Sequence, residues 1–173
     1  MTRALPLAAA LSVLVLAVIA SPAVHAAYAE TVVETVHLVV TGGAHAGTFD
    51  ASGTHGGCSY GLAGPGSWGN QISSPKDKDP NTFNSLQLIV PDAKAAAGGA
   101  KEFFLMVGFG PLLHRSAEYK VETRPSEAKK SGSGTVTVDD RGTTGKVTFS
   151  VTTADGVTLD GTIDCKTVSR SAS

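Results

Sequence analysis

Apolar and polar residues alternate with a period of two along most of the chain after position 30, most cleanly between Gly134 and Cys165. Three runs stand there, residues 135–138, 146–152 and 157–165, and each has the alternation of a half-buried strand. In the second run Val147, Phe149 and Val151 share a face; in the third Val157, Leu159, Ile163 and Cys165 do, opposite Thr158, Asp160, Thr162 and Asp164. Cys165 is therefore expected to point into a core.

The turns between these runs are fixed by the requirement that apolar faces match. A two-residue hairpin at Asp155-Gly156 would set Val151 against Asp160 and mix the faces. A three-residue loop of Ala154, Asp155 and Gly156 instead pairs Val151 with Leu159, Phe149 with Gly161 and Val147 with Ile163. It also puts Gly156 where such loops need a positive φ, and lays Phe149 over the bare backbone of Gly161. A four-residue loop from Arg141 to Thr144 sets Val138 against Val147 and Val136 against Phe149. The stretch reads as a three-stranded antiparallel meander.

Upstream, residues 31–41 predict a strand with Val32, Val36, Leu38 and Val40 on one face and Thr35, His37 and Thr41 on the other, followed by a short strand at 48–52. The glycine-dense segment 53–69 holds Cys58, Tyr60, Pro65 and Trp68; it predicts short strands at 58–62 and 68–72 around a turn at Gly64-Pro65-Gly66. Residues 73–81, with two prolines and alternating charges, read as a solvated loop. Strands follow at 83–90, 102–109 and 118–123, with one or two helical turns at 92–97 between the first two. Residues 102–109 are apolar on both faces, which predicts a central strand covered on both sides. About ten short strands with frequent turn signals give the fold class: all-β, an antiparallel β-sandwich of immunoglobulin-like or jelly-roll type.

Composition changes this picture at the N-terminus. Arg3 precedes an apolar run at 4–20, a break at Ser21-Pro22 and small residues up to Ala29, the pattern of a secretory signal peptide covering residues 1–26, with cleavage as late as 29. Residues 27–173 then form a single domain, exported to the periplasm or the cell exterior, with no stable membrane insertion once the signal is cleaved. Removing the signal takes Lys+Arg from 14 to 13 against 15 Asp+Glu, a net charge of −2. That balance argues against a nucleic-acid partner, which needs clustered positive charge. Two cysteines in an exported chain predict one disulfide, Cys58 to Cys165.

Candidate chemistry is sparse. Gly57-Cys58-Ser59-Tyr60-Gly61 matches the G-x-S-x-G nucleophile elbow, but that device needs a strand, a sharp turn and then a helix, and no helix is predicted after it. His45 and His55, with Asp50 between them and Cys58 beyond, offer ligand types for zinc or copper without a recognised spacing. His37 and His114 are isolated. Asp77, Asp79 and Asn81 alternate like part of a calcium loop that lacks its glycine and distal glutamate. Tyr60 and Trp68 beside Asn70 and Gln71 form the one candidate platform for a ligand, suited to stacking a sugar ring or anchoring a protein partner. The expectation is a non-catalytic binding or interaction module without a cofactor. The alternatives are a secreted hydrolase assembled from loops around residues 45–71, with His45, Asp50, His55 and Ser59 converging, or a structural envelope component.

Overall fold

The structure is a computed structural model that describes residues 31–54, 56–73, 79–111 and 113–171. The expected signal peptide, His55 and Asp77 lie outside the described residues. Eleven strands and one short helix follow in chain order: β1 (Glu34–Thr41), β2 (Gly47–Gly53), β3 (Gly57–Tyr60), β4 (Trp68–Ser73), β5 (Phe83–Val90), α1 (Ala93–Ala96), β6 (Phe104–Phe109), β7 (Ala117–Glu122), β8 (Ser133–Asp140), β9 (Gly145–Thr152), β10 (Thr158–Cys165) and β11 (Val168–Arg170). They build two sheets, β2-β1-β10-β9-β8 and β11-β3-β4-β5-β6-β7, packed face to face as a sandwich. Every pairing is antiparallel except that of β11 with β3.

The core lies between the sheets, where the alternating apolar sets meet. Val36, Leu38, Phe149, Leu159 and Ile163 come from one sheet, and Trp68, Leu86, Leu88, Leu105 and Phe109 from the other. The meander has the expected registers: Val151 opposite Leu159, Phe149 opposite Gly161, Val147 opposite Ile163, and Val138 opposite Val147. Thr153 and Val157 close a loop of Ala154, Asp155 and Gly156, and Gly156 has φ +86°. The Phe149 ring covers Gly161 so closely that a β-carbon built there would lie 2.5 Å from Cζ.

The helical turn forms where the alanine run was, with the Asp92 carboxylate accepting from the Ala95 N–H at 3.0 Å. It delivers Ala100 to the free edge of β8, where Ala100 and Val136 exchange backbone hydrogen bonds of 2.7 and 3.0 Å. That bridge covers part of an edge that would otherwise be open to another chain.

Three features depart from the expectation. β6 is flanked by β5 and β7 and buried along nearly its whole length, as expected, but among the described residues its outer face is covered by side chains and not by a third layer: Lys120 and Arg124 lie over the Phe104 ring at 5.4 and 5.2 Å. Arg124 also grips the Glu122 carboxylate at 2.9 and 2.7 Å, which holds that carboxyl below its ordinary range. Long cationic side chains thus do the work expected of a covering layer. The short edge strand β11 was not expected, since three residues carry too little pattern to read. Finally, β1 begins at Glu34, which faces inward with Val36, Leu38 and Val40, so an acid sits on the apolar face.

Candidate functional site

The glycine-dense segment forms the β3–β4 hairpin. Its connection turns back through hydrogen bonds from Gly61 N–H to the Ser67 carbonyl (2.8 Å) and from Ser67 N–H to the Gly64 carbonyl (3.0 Å). Gly61, Gly64 and Gly66 all have positive φ, so the turn requires glycine at those three positions. Alternation then divides the hairpin between two environments. Cys58, Tyr60, Trp68, Asn70 and Ile72 face the core, while Gly57, Ser59, Gly69 and Gln71 face out.

This division separates the four residues of the expected platform. Trp68 is fully buried and packs across the sandwich against Gly145, where a β-carbon would come within 2.7 Å of the indole. Tyr60 is half-buried against the core, with the Arg170 guanidinium 4.9 Å from its ring centre. Asn70 is buried, and only Gln71 is exposed, on the opposite face of the same strand.

On that outer face a shallow concavity of about 270 Å³ lies over β3, β4 and β5. Gly69 leaves its floor without a side chain, Ser59, Gln71, Gln87 and Ser169 surround it, and Leu62, 75% exposed, stands at its rim. Among the described residues no charged side chain lines it. The Ser59 hydroxyl donates to the Gly69 carbonyl at 3.5 Å. Ser59 sits in mid-strand, and a turn and a strand follow it, so the geometry of a nucleophile elbow is not formed.

Beneath the hairpin, on the core side, Cys58 and Cys165 form the disulfide that joins the two sheets. Glu34 lies against it: it is opposite Cys165 in the β1–β10 register, and its Oε2 is 3.8 Å from Cys58 Sγ. Asn70 Nδ2 donates to Glu34 Oε2 and approaches Cys58 Sγ at 3.5 Å. Glu34 Oε1 and Asn70 Oδ1 are buried and have no hydrogen-bond partner among the described residues. Burial pushes the Glu34 carboxyl up from 4.5 to about 7, opposed by the Asn70 hydrogen bond. A proton on Glu34 would supply a donor where two acceptors lack one, so the neutral acid suits this pocket better than the carboxylate. Parity alone pointed to this residue, since position 34 belongs with 36, 38 and 40.

The remaining polar residues do not gather around Ser59. His45 stacks on Phe109 at 4.5 Å and lies within 3.4 Å of the Tyr119 and Ser116 hydroxyls, at the β7 side of the six-stranded sheet. Four strand spacings, about 19 Å, separate β7 from β3. Asp50 pairs with His37 at 2.7 Å on the outer face of the other sheet. His114 lies in the loop between β6 and β7. Asp79 accepts from the Asn81 N–H at 2.8 Å, a local turn contact. Among the described residues, no three His, Cys, Asp or Glu side chains are grouped to hold a metal ion, and no helix is long and apolar enough to cross a membrane. Comparison with family models, curated proteins and solved structures returned no match to this chain.

Proposed function

We propose that the protein is an exported, non-catalytic binding module whose ligand face is the outer surface of β3, β4 and β5. The observation that carries this reading is the concavity floored by Gly69, where a glycine opens the sheet surface between amide and hydroxyl side chains beside an exposed leucine. Its chemistry fits a neutral ligand with some apolar surface. Gln71 and Gln87, opposite each other in the β4–β5 register, present amides that donate and accept, and Leu62 and Ile89 present hydrocarbon. A sugar ring or an uncharged stretch of a protein partner meets both requirements. Export is supported by the leader-like N-terminus and by the disulfide, which persists in oxidising compartments.

The test is a titration of isotopically labelled protein with neutral oligosaccharides and with uncharged leucine-containing peptides, followed by amide NMR. Shifts at Ser59, Gly69, Gln71 and Gln87 are expected, and Gly69→Leu, which fills the floor, should abolish them. Shifts confined to other surfaces, or none with either probe set, would remove the reading.

A further inference from the structure

The disulfide has the surroundings of a site where protons move. A thiol becomes a nucleophile by losing its proton to a nearby base, and a departing thiolate is quenched by a nearby acid. Glu34 Oε2 lies 3.8 Å from Cys58 Sγ, within reach of the thiol that reduction would create there. The Asn70 amide, 3.5 Å from the same sulfur, offers a hydrogen bond to a thiolate. Glu34 is fully buried, and its Oε1 has no hydrogen-bond partner among the described residues.

We propose that Glu34 is the proton acceptor and donor for thiol–disulfide exchange at Cys58, which makes the Cys58–Cys165 pair a proton-coupled redox site. In reduction, the thiolate of an external monothiol such as glutathione attacks Cys165 Sγ. The electron pair of the S–S bond leaves with Cys58 Sγ, which takes the Glu34 proton. A second external thiolate attacks the external sulfur of the mixed disulfide, giving an external disulfide and a Cys165 thiolate that takes its proton from water. Oxidation reverses the order: Cys58 gives its proton to Glu34, and its thiolate displaces the external thiolate from Cys165.

The surroundings support this role. The elements packed on Glu34 present Gly53 from β2, Cys165 from β10, Cys58 from β3, and Asn70 and Ile72 from β4, and none of these is charged. Asp164 and Lys146, cross-strand partners on β10 and β9, lie on the opposite face of their sheet. Burial, with no compensating cation among the described residues, raises the Glu34 carboxyl to about 7, where it both takes and gives a proton at neutral pH. Access has a route as well. Val168 of β11 lies beside Cys58 in the parallel register and three residues after Cys165. This edge strand has three pairs to β3 and is otherwise tied to the turn after β8, by the Val168 N–H to the Thr143 carbonyl and by Arg170 to the Gly142 carbonyl, so local opening of this edge loosens the chain next to Cys165 and uncovers the sulfur that is attacked.

The experiment starts from reduced protein and follows re-formation of the disulfide by oxidised glutathione between pH 5 and 9, with thiols trapped by alkylation and counted by mass. Wild type is expected to show a rise in closure rate centred near neutral pH. In Glu34→Gln that rise disappears and closure at pH 7 slows by about tenfold or more, while Glu34→Asp restores the rise in part. Superimposable pH profiles for wild type and Glu34→Gln overturn the proposal. Should Glu34→Gln not fold, wild type decides: a single inflection in the ordinary thiol range, about 8.5, overturns it equally.

Discussion

The buried carboxyl of Glu34 makes stability depend on pH in a direction opposite to that of most acids. Its folded-state value is about 7 against an ordinary 4.5, because desolvation in the core penalises the carboxylate. A raised folded value means the native state holds a proton that the unfolded chain has already released. The contribution is therefore fully present below pH 4.5 and is lost as pH rises through 7. The gap between those two values corresponds to about 3 kcal/mol, a large part of the 5–15 kcal/mol that usually separates folded from unfolded. Glu34→Gln keeps the shape and supplies a permanent donor and acceptor beside Asn70, so it should lack this term. Urea unfolding of the disulfide-intact protein, read from Trp68, the single tryptophan, measures it. Wild type should lose about 3 kcal/mol more than Glu34→Gln between pH 4.5 and pH 8.5, leaving the variant the more stable at pH 8.5. Parallel pH curves for the two proteins would refute the account of Glu34 as a buried, uncompensated acid.

Three further outcomes follow from the same structure. Replacing both cysteines by alanine opens a loop whose ends are 107 residues apart, and urea titration should show a loss of about 4–5 kcal/mol on the chain-entropy account. Gly161→Ala should cost about 1–3 kcal/mol by the same assay, because the new β-carbon would stand 2.5 Å from both the His37 carbonyl and the Phe149 ring, and the carbonyl belongs to a neighbouring strand. Trp68 should emit at short wavelength and resist quenching by iodide, since it is fully buried; ready quenching would mean that the indole faces solvent.

Much of the scaffold was legible because β-sheet register is a parity problem. In the meander a one-residue slip in either hairpin would turn its apolar set to water, and the register that matches the faces is the one found. Chain pattern was less informative where residues carry little side chain. Between Gly53 and Gly69 the glycines describe turns well but cannot say which face a neighbour takes. Trp68 beside Gln71 looked like a surface platform until the β4 register put them on opposite faces. The buried acid was missed for a different reason: in the strand read at 31–41 the apolar stripe drew attention to its valines and leucine, and Glu34, which shares their parity, was assigned to neither face. What brings Glu34 to Cys58 and Asn70 is contact between sheets, which no local pattern encodes.

The period of two also places the two proposed activities one residue apart. Cys58 faces the disulfide and Glu34, and Ser59 faces the concavity over Gly69. The two sheets hold their ends of the disulfide unequally. Cys165 closes an eight-residue ladder on each side, whereas Cys58 lies in a strand with four pairs to β4 and three to β11. Loss of the covalent tie should therefore fall on β3, and with it on the outer surface of the hairpin. Reducing the protein with dithiothreitol should move the amide resonances of Ser59, Gly69 and Gln71 while leaving those of Thr148 and Thr162, in the middle of the meander, nearly in place. Equal shifts in both sets would mean that the sandwich responds as one body. No shift at Ser59 would mean that β3 holds its place without the sulfur, and the redox state of Cys58 would then have no path to the ligand face. Where coupling is found it is reciprocal: a ligand that binds the oxidised surface more tightly must also make the disulfide harder to reduce.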